Sequence, residues 1–309
     1  MSTTESTPST TNSKVALLQF KVTEDKAINH ATAKAFLQKA HDAGASLVVL
    51  PEIWNSPYAT AAFHEYAESL PPMNFQYDSV SKDNDLSSAP SAKLLFEAAM
   101  EYNMYIIGGS IPEIDGDEIY NTCLCISPEG KLIGKHRKVH LFDIDVPGGI
   151  TFRESDTLSP GNDMTAFDAG AFGSVGVGIC YDIRFPEYAL LLNKRYGCNL
   201  LVYPGAFNMT TGPAHWELLQ KARAVDNQCF VITASPARTE EPTEAGKYKH
   251  YTAWGHSTVI SPWGEVVGTC GSDEDIVVVD LDLSEVKKMR DGIPTASQKR
   301  DDMYKLSAP

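Results

Sequence analysis

Long apolar runs are missing from this chain. The longest, such as residues 46–50 and 276–279, are far too short to cross a bilayer. Also missing is a basic stretch followed by an apolar one near the start. Residues 1–13 are instead rich in Ser and Thr, carry no Arg and one Glu, and read as a solvated, disordered tail. The expectation is a cytoplasmic protein with no membrane partner, a mitochondrial pool being left open. Basic charge is scarce: 26 Lys and Arg stand against 40 Asp and Glu, for a net charge of −14. That balance disfavours nucleic acid and anionic lipid, which select for basic surfaces, although a small anion can still bind in a local cationic pocket. No CxxC pair occurs among the six cysteines, so no disulfide framework is expected. Cys123 and Cys125, two apart in an apolar strand, point to one face and read as core. Five of the six read as small core hydrophobes. No linker rich in Pro, Gly or Ser divides the chain, so residues 14–304 read as a single domain with a short tail at 305–309.

What is present is the material of a soluble core: 43% of the 309 residues are hydrophobic and 21% charged. Strand-like runs at 14–20, 47–50, 104–110, 120–126, 131–136, 175–179 and 200–203 alternate with helix-like runs at 24–43, 91–102, 185–195 and 214–227. Further strands follow at 230–234, 256–260, 265–270 and 276–281. Ser127-Pro128-Glu129-Gly130 and Ser261-Pro262-Trp263-Gly264 read as turns. The mixture predicts an α/β fold with two mixed sheets and helices outside. Polar stretches at 71–90 and 239–249 are surface insertions and candidate rim loops.

The chemistry concentrates in residues 176–187, GVGICYDIRFPE. A buried strand delivers Cys180 to a tight turn, and Pro186 opens the following helix, where its missing N–H is tolerated. A nucleophile on such an elbow stands beside free backbone N–H groups able to receive an oxyanion. A thiol attacking an amide also needs a cation and a base. His136, His140, His215 and His256 are candidates for a Cys–His pair, but none sits in a recognisable signature. His136 and His140, four apart, could share a metal, yet Arg137 and Lys138 between them oppose a dication. Two other residues have suggestive settings. Glu52 closes an apolar strand after Pro51, and Lys138 follows the strand at 131–136.

Leu50-Pro51-Glu52, Arg137-Lys138-Val139-His140-Leu141-Phe142 and residues 178–187 resemble, in order, the three catalytic blocks of the nitrilase superfamily of carbon–nitrogen hydrolases. The resemblance runs over roughly residues 14–304. It implies a four-layer αββα sandwich, pairing into an αββα-αββα homodimer. It also implies Glu52 as general base, Lys138 as the cation stabilising the tetrahedral intermediate, Cys180 as the acylated nucleophile and Glu154 in support. The Tyr181 backbone N–H would complete the oxyanion site, with no metal or organic cofactor. Residues 138–161, 203–216, 223–228 and 253–257 are most similar to the omega-amidase branch, which implies hydrolysis of the terminal amide of 2-oxoglutaramate or 2-oxosuccinamate to the oxo-diacid and ammonia. Deaminated glutathione, or the substrate of another carbon–nitrogen hydrolase, is the alternative. For the substrate carboxylate the sequence offers Arg184 and the backbone N–H groups around Thr210 to Gly212; Arg184 could equally pair with Asp182 or Glu187. Tyr58, His64 and Phe207 are expected to wall the pocket.

Overall fold

In the computed structural model, which describes residues 13–78, 86–148, 151–239, 246–250 and 252–307, the first strand already separates two cores. Along β1 (Lys14–Gln19), Val15 and Leu17 join one apolar cluster while Ala16 and Leu18 join another, because successive side chains on a strand face opposite ways. β2 (Leu47–Val49) repeats the division, with Leu47 and Val49 inward and Val48 outward. Cys123 and Cys125 share the inward face of β5 (Glu118–Ile126), as their spacing predicted.

The first sheet has seven strands. β15 (Asp275–Asp280), β1, β2, β3 (Tyr105–Ile107) and β5 follow one another, and β4 (Ile111–Asp115) continues beyond β3 along the same edge of β5. β6 (Leu132–Arg137) lies on the other edge of β5. The second sheet has six strands in the order β14 (Val266–Thr269), β13 (Thr258–Ile260), β12 (Phe230–Ala234), β11 (Leu200–Pro204), β10 (Ser174–Val177) and β9 (Thr165–Asp168). β1 to β3 are parallel, as are β10 to β12. A ribbon of β7 (Asp143–Asp145) and β8 (Thr151–Arg153) stands apart.

Helices cover both outer faces. α1 (Lys26–Asp42) lays Ala33, Phe36, Leu37 and Ala40 on the first sheet beside α3 (Pro90–Tyr102). α4 (Pro186–Tyr196) and α5 (Gly212–Asn227) cover the second with Tyr188, Leu192, Trp216 and Ala224. The result is the four-layer αββα sandwich. Among the described residues no helix is long and apolar enough to cross a membrane.

Several expectations are corrected. The helix expected from 185 begins at Pro186, and Phe185 is its cap, with its ring stacked on His140 rather than buried beneath the helix. The one-turn helix α2 (Phe63–Tyr66), α6 (Ser284–Gly292), β4, β9 and the β7–β8 ribbon were not foreseen. The described ends of the 71–90 stretch do not border the site: Tyr77 stacks on Phe96 of α3, and Leu86 and Ala89 join the outer core. Residues 79–85 and 240–245 and the tails at 1–12 and 308–309 lie outside the described residues.

Candidate active site

The carboxyl ends of parallel strands are where open α/β sheets place ligands, and both sheets of this sandwich end at one point. After β2 the chain turns sharply through Pro51, Glu52 and Ile53, the last with φ 49°. Ile53 N–H donates to Ser110 Oγ (3.0 Å), Trp54 Nε1–H to the Gly108 carbonyl (2.8 Å) and Ser110 N–H to the Pro51 carbonyl (3.1 Å). The β2 exit is thereby sewn to the β3–β4 connection. Gly109, at φ 64°, allows it: a Cβ there would lie 2.0 Å from the Pro51 oxygen.

From the second sheet, β10 ends at Val177 and Cys180 opens a 3₁₀ turn over Cys180–Arg184. Cys180 has φ 47°, a left-handed conformation that non-glycine residues adopt only when their surroundings enforce it. Asp182 is the enforcer. Its fully buried carboxylate accepts Ile179 N–H (2.8 Å), His140 N–H (2.9 Å), His140 Nδ1–H (2.7 Å) and His136 Nε2–H (3.2 Å). Burial alone would raise the Asp182 carboxyl; the two histidines outweigh it and hold the group well below the usual carboxylate range. One side chain thus ties the cysteine elbow to the segment carrying Lys138. It also accounts for His136 and His140, which turn to Asp182 rather than to Cys180.

Lys138 leaves β6 fully buried. Its ammonium donates to Glu154 Oε1 (2.8 Å), Glu52 Oε1 (3.0 Å) and Tyr58 Oη (3.2 Å), which commits all three of its N–H bonds. Glu154 opens a 3₁₀ turn and anchors its second oxygen on Phe142 N–H (2.7 Å). Tyr58 Oη lies 2.5 Å from Glu154 Oε1 and 3.0 Å from Glu52 Oε1, and its single proton serves one of them at a time. Glu52 Oε1 also receives Asn121 Nδ2–H (2.9 Å), and Oε2 receives Ala206 N–H (2.8 Å) from the end of β11. The Cys180 thiol lies close enough to Glu52 for each group to shift the other's proton affinity. Glu52, Lys138, Glu154 and Cys180, separated by up to 128 positions (180 − 52), therefore form one buried cluster.

Burial pushes the Glu52 carboxyl above its ordinary range; Lys138 opposes this and Glu154 adds to it. For Lys138, burial pulls the ammonium down, but the charges of Glu154 and Glu52 outweigh it and hold the group above the usual lysine range. Burial and the Glu52 charge push the Cys180 thiol well up against the pull of Lys138. The resting state is a thiol beside a carboxylate of raised proton affinity and a permanent cation. In such a setting a thiolate can form only by proton transfer, and Glu52 stands beside the thiol as an acceptor.

The remaining expected residues divide. Tyr58 does line the cleft, and its hydroxyl also reaches into the charged cluster. His64 is exposed on α2 and does not line the cleft; Phe63, against Tyr58, takes the buried position. The N–H groups of Thr210 and Thr211 both donate to Asn208 Oδ1 (3.0 and 2.9 Å), and Gly212 N–H to the Asn208 carbonyl (2.7 Å), so they do not await a ligand. Arg184 pairs with neither Asp182 nor Glu187. Its Nη1–H donates to His215 Nδ1 (3.2 Å), and its guanidinium packs 4.8 Å from the Phe207 ring centre and 5.6 Å from that of Tyr181. A narrow cleft, with a cavity volume of only about 30 Å³, reaches Glu52 between Ile53, Tyr58, Ala206, Thr239, His250 and Ala253.

Asn121 and the Asp182 clamp were missed. Asn121 was legible in principle, since it shares strand parity with Cys123 and Cys125 and so faces the space between the sheets.

Residues 14–291 match the family model described as carbon-nitrogen hydrolase. The chain is 52% identical to omega-amidase NIT2 of Bos taurus, over 96% of this chain and 98% of that protein. It is 49% identical to omega-amidase NIT2 of Homo sapiens, over 95% and 97% respectively. The solved structure of Saccharomyces cerevisiae Nit3, a member of branch 10 of the nitrilase superfamily, superposes with a TM-score of 0.78 at 40% identity, covering 93% of this chain and 96% of that one. The sandwich, the buried Glu–Lys–Cys cluster at its strand ends and these full-length matches lead to one assignment: the chain belongs to the carbon-nitrogen hydrolase family.

Proposed function

We propose that this protein is an omega-amidase that hydrolyses the terminal amide of a short oxo-diacid monoamide, 2-oxoglutaramate or 2-oxosuccinamate, through a thioester on Cys180. The relatives named omega-amidase support the reaction. The observation that carries the substrate's second end is Arg184. It is a half-buried cation next to the nucleophile's turn, with no carboxylate in ion-pair reach among the described residues. Burial pulls its pKa down, as expected of a cation lacking a countercharge. An anionic substrate end beside Phe207 would supply that charge.

In the reaction, Glu52 takes the Sγ proton while sulfur bonds to the amide carbon. The Tyr181 N–H, in the first turn of its 3₁₀ segment, faces the developing oxyanion. Lys138 stabilises it by turning one N–H from Tyr58, its longest contact. When the C–N bond breaks, Glu52 hands its proton to nitrogen and ammonia leaves. The same carboxylate then accepts a proton from water attacking the thioester, and that proton returns to Cys180 as the acid departs. Glu154 holds Lys138 in place throughout.

The reaction belongs in a reducing compartment, the cytoplasm, in keeping with six free cysteines. The domain spans residues 14–304. A homodimer through the helical face is supported by exposed Leu218 and Val225 on α5.

Ammonia release by the purified protein tests the substrate. The expected result is a kcat/KM for 2-oxoglutaramate at least ~10-fold above that for deaminated glutathione. Arg184→Met should then raise KM for 2-oxoglutaramate by ~10–100-fold, the worth of a charge-assisted hydrogen bond. A preference for deaminated glutathione would replace this reading with the neighbouring branch.

A further inference from the structure

The two oxygens of Glu52 are not equivalent. Oε1 is surrounded by three donors: Asn121 Nδ2–H (2.9 Å), Lys138 Nζ–H (3.0 Å) and Tyr58 Oη (3.0 Å). Oε2 has one among the described residues, the Ala206 N–H at 2.8 Å. An oxygen crowded by donors has no lone pair left for an incoming proton, whereas Oε2 keeps one free. We propose that Asn121 is a positioning residue that locks Glu52 so that the proton travels between Cys180 and Oε2 alone.

Asn121 contributes little as a structural residue. It is fully buried, and its Oδ1 has no partner among the described residues. A buried amide whose carbonyl oxygen is unmet costs folding free energy, which offsets much of what its one bond to Glu52 contributes. The main-chain bond from Lys138 N–H to the Asn121 carbonyl (2.9 Å) survives any substitution there. What the side chain alone supplies is the bond to Glu52 Oε1. Unlike Lys138 it adds no charge, and unlike Tyr58 it has no competing carboxylate. It therefore fixes orientation without altering the charge balance of the cluster.

The consequence is a separation of stability from rate. Asn121→Leu should move Tm by only a few degrees while kcat falls ~10–100-fold and KM moves little, the range seen when the partner orienting a reacting group is removed. The groups facing Glu52 are Lys138 from β6, Glu154 from its 3₁₀ turn, Tyr58 from the loop after β2 and Cys180 from the elbow. Removing a neutral donor from this set disfavours the carboxylate form, so the acidic limb of the kcat–pH profile should move to higher pH.

The inference rests on Glu52 being the base, and three variants separate the two claims. Asn121→Leu, Asn121→Ala and Glu52→Gln are assayed for ammonia release from 2-oxoglutaramate across pH, with Tm alongside. Both Asn121 variants slowed, with the acidic limb raised and Glu52→Gln inactive, is the expected pattern. Glu52→Gln inactive, with the Asn121 variants keeping wild-type kcat or losing it only in step with Tm, would overturn the role of Asn121 alone. Activity in Glu52→Gln would overturn the base assignment beneath it. The alanine variant gives the same readouts if leucine is not accommodated.

Discussion

Cys180→Ala lowers kcat/KM for the amide by ~10⁴-fold or more, while Tm moves by only a few degrees. The expected loss is that of removing the group that forms the covalent bond, where enzymes with a concerted nucleophile and base fall to a residual set by binding and oxyanion stabilisation. The small stability change follows from the thiol's setting. Burial and the Glu52 charge keep it protonated, so the substitution deletes an uncharged group of small volume, on the order of 1 kcal/mol. The φ of 47° at this position is borne equally by alanine, and Asp182 still holds the turn through Ile179 N–H. Ammonia release and a thermal melt on one preparation check both halves. Turnover above about one per cent of wild type would remove Cys180 from the mechanism.

Lys138→Met has the second large effect, and here rate and stability fall together. The ammonium is the cation binding both Glu52 and Glu154, at 3.0 and 2.8 Å, with every partner fully buried. Taking one partner from a buried ion pair costs about 3–5 kcal/mol, because the charge left behind is uncompensated. Losing a preorganised donor to the oxyanion costs ~10²–10³ in kcat. The pH dependence has a definite sign. The Glu52 carboxyl already titrates above its unfolded value through burial, and Lys138 is what restrains it. Without the lysine its folded pKa rises further. Stability from such a group is complete below the unfolded value, about pH 4.3, and is lost as pH rises through the folded value. Lys138→Met should thus melt at a higher temperature near pH 5 than near pH 8, by a margin wider than any wild-type difference. Equal losses of Tm at both values would contradict the charge assignment.

How much of this could be read beforehand depended on whether a residue's neighbours are near in sequence. The layers were legible because they are local. Alternation in β1 and β2 separates the two cores, and the stripe Ala33, Phe36, Leu37, Ala40 marks the buried face of α1. Glu52 stood out because it closes an apolar strand, and Cys180 because a buried strand delivers it to a turn. Lys138 stood out because it follows a strand within a block whose order with the other two resembled a known family. Their contact did not follow from either fact, since it depends on two sheets bringing their carboxyl ends together. Asp182 was hidden for a similar reason: its partners lie 42 and 46 positions back, and a histidine pair four apart suggests a metal or a base before it suggests a clamp. Thr210 misled because the sequence shows an exposed loop amide and not the Asn208 side chain beneath it that already accepts it. Tyr58 is a wall of the cleft as expected, but its hydroxyl's place among Glu52, Lys138 and Glu154 could not be read from an aromatic residue in a loop. The strand β4 went unread because Pro112, Glu113 and Asp115 break the apolar pattern that marks its neighbours.

The central claim is amide hydrolysis through a thioester on Cys180, with Glu52 and Lys138 supplying proton transfer and charge. Its most direct test is to treat the protein with a strong chelator, mix it with 2-oxoglutaramate, quench in acid within one turnover, and measure both released ammonia and the mass of the Cys180 peptide. The account predicts a burst of about one ammonia per active site, matched by an acyl adduct on Cys180 that disappears as the oxo-diacid forms. Loss of the burst on chelation, or product formed with Cys180 never acylated, would contradict it.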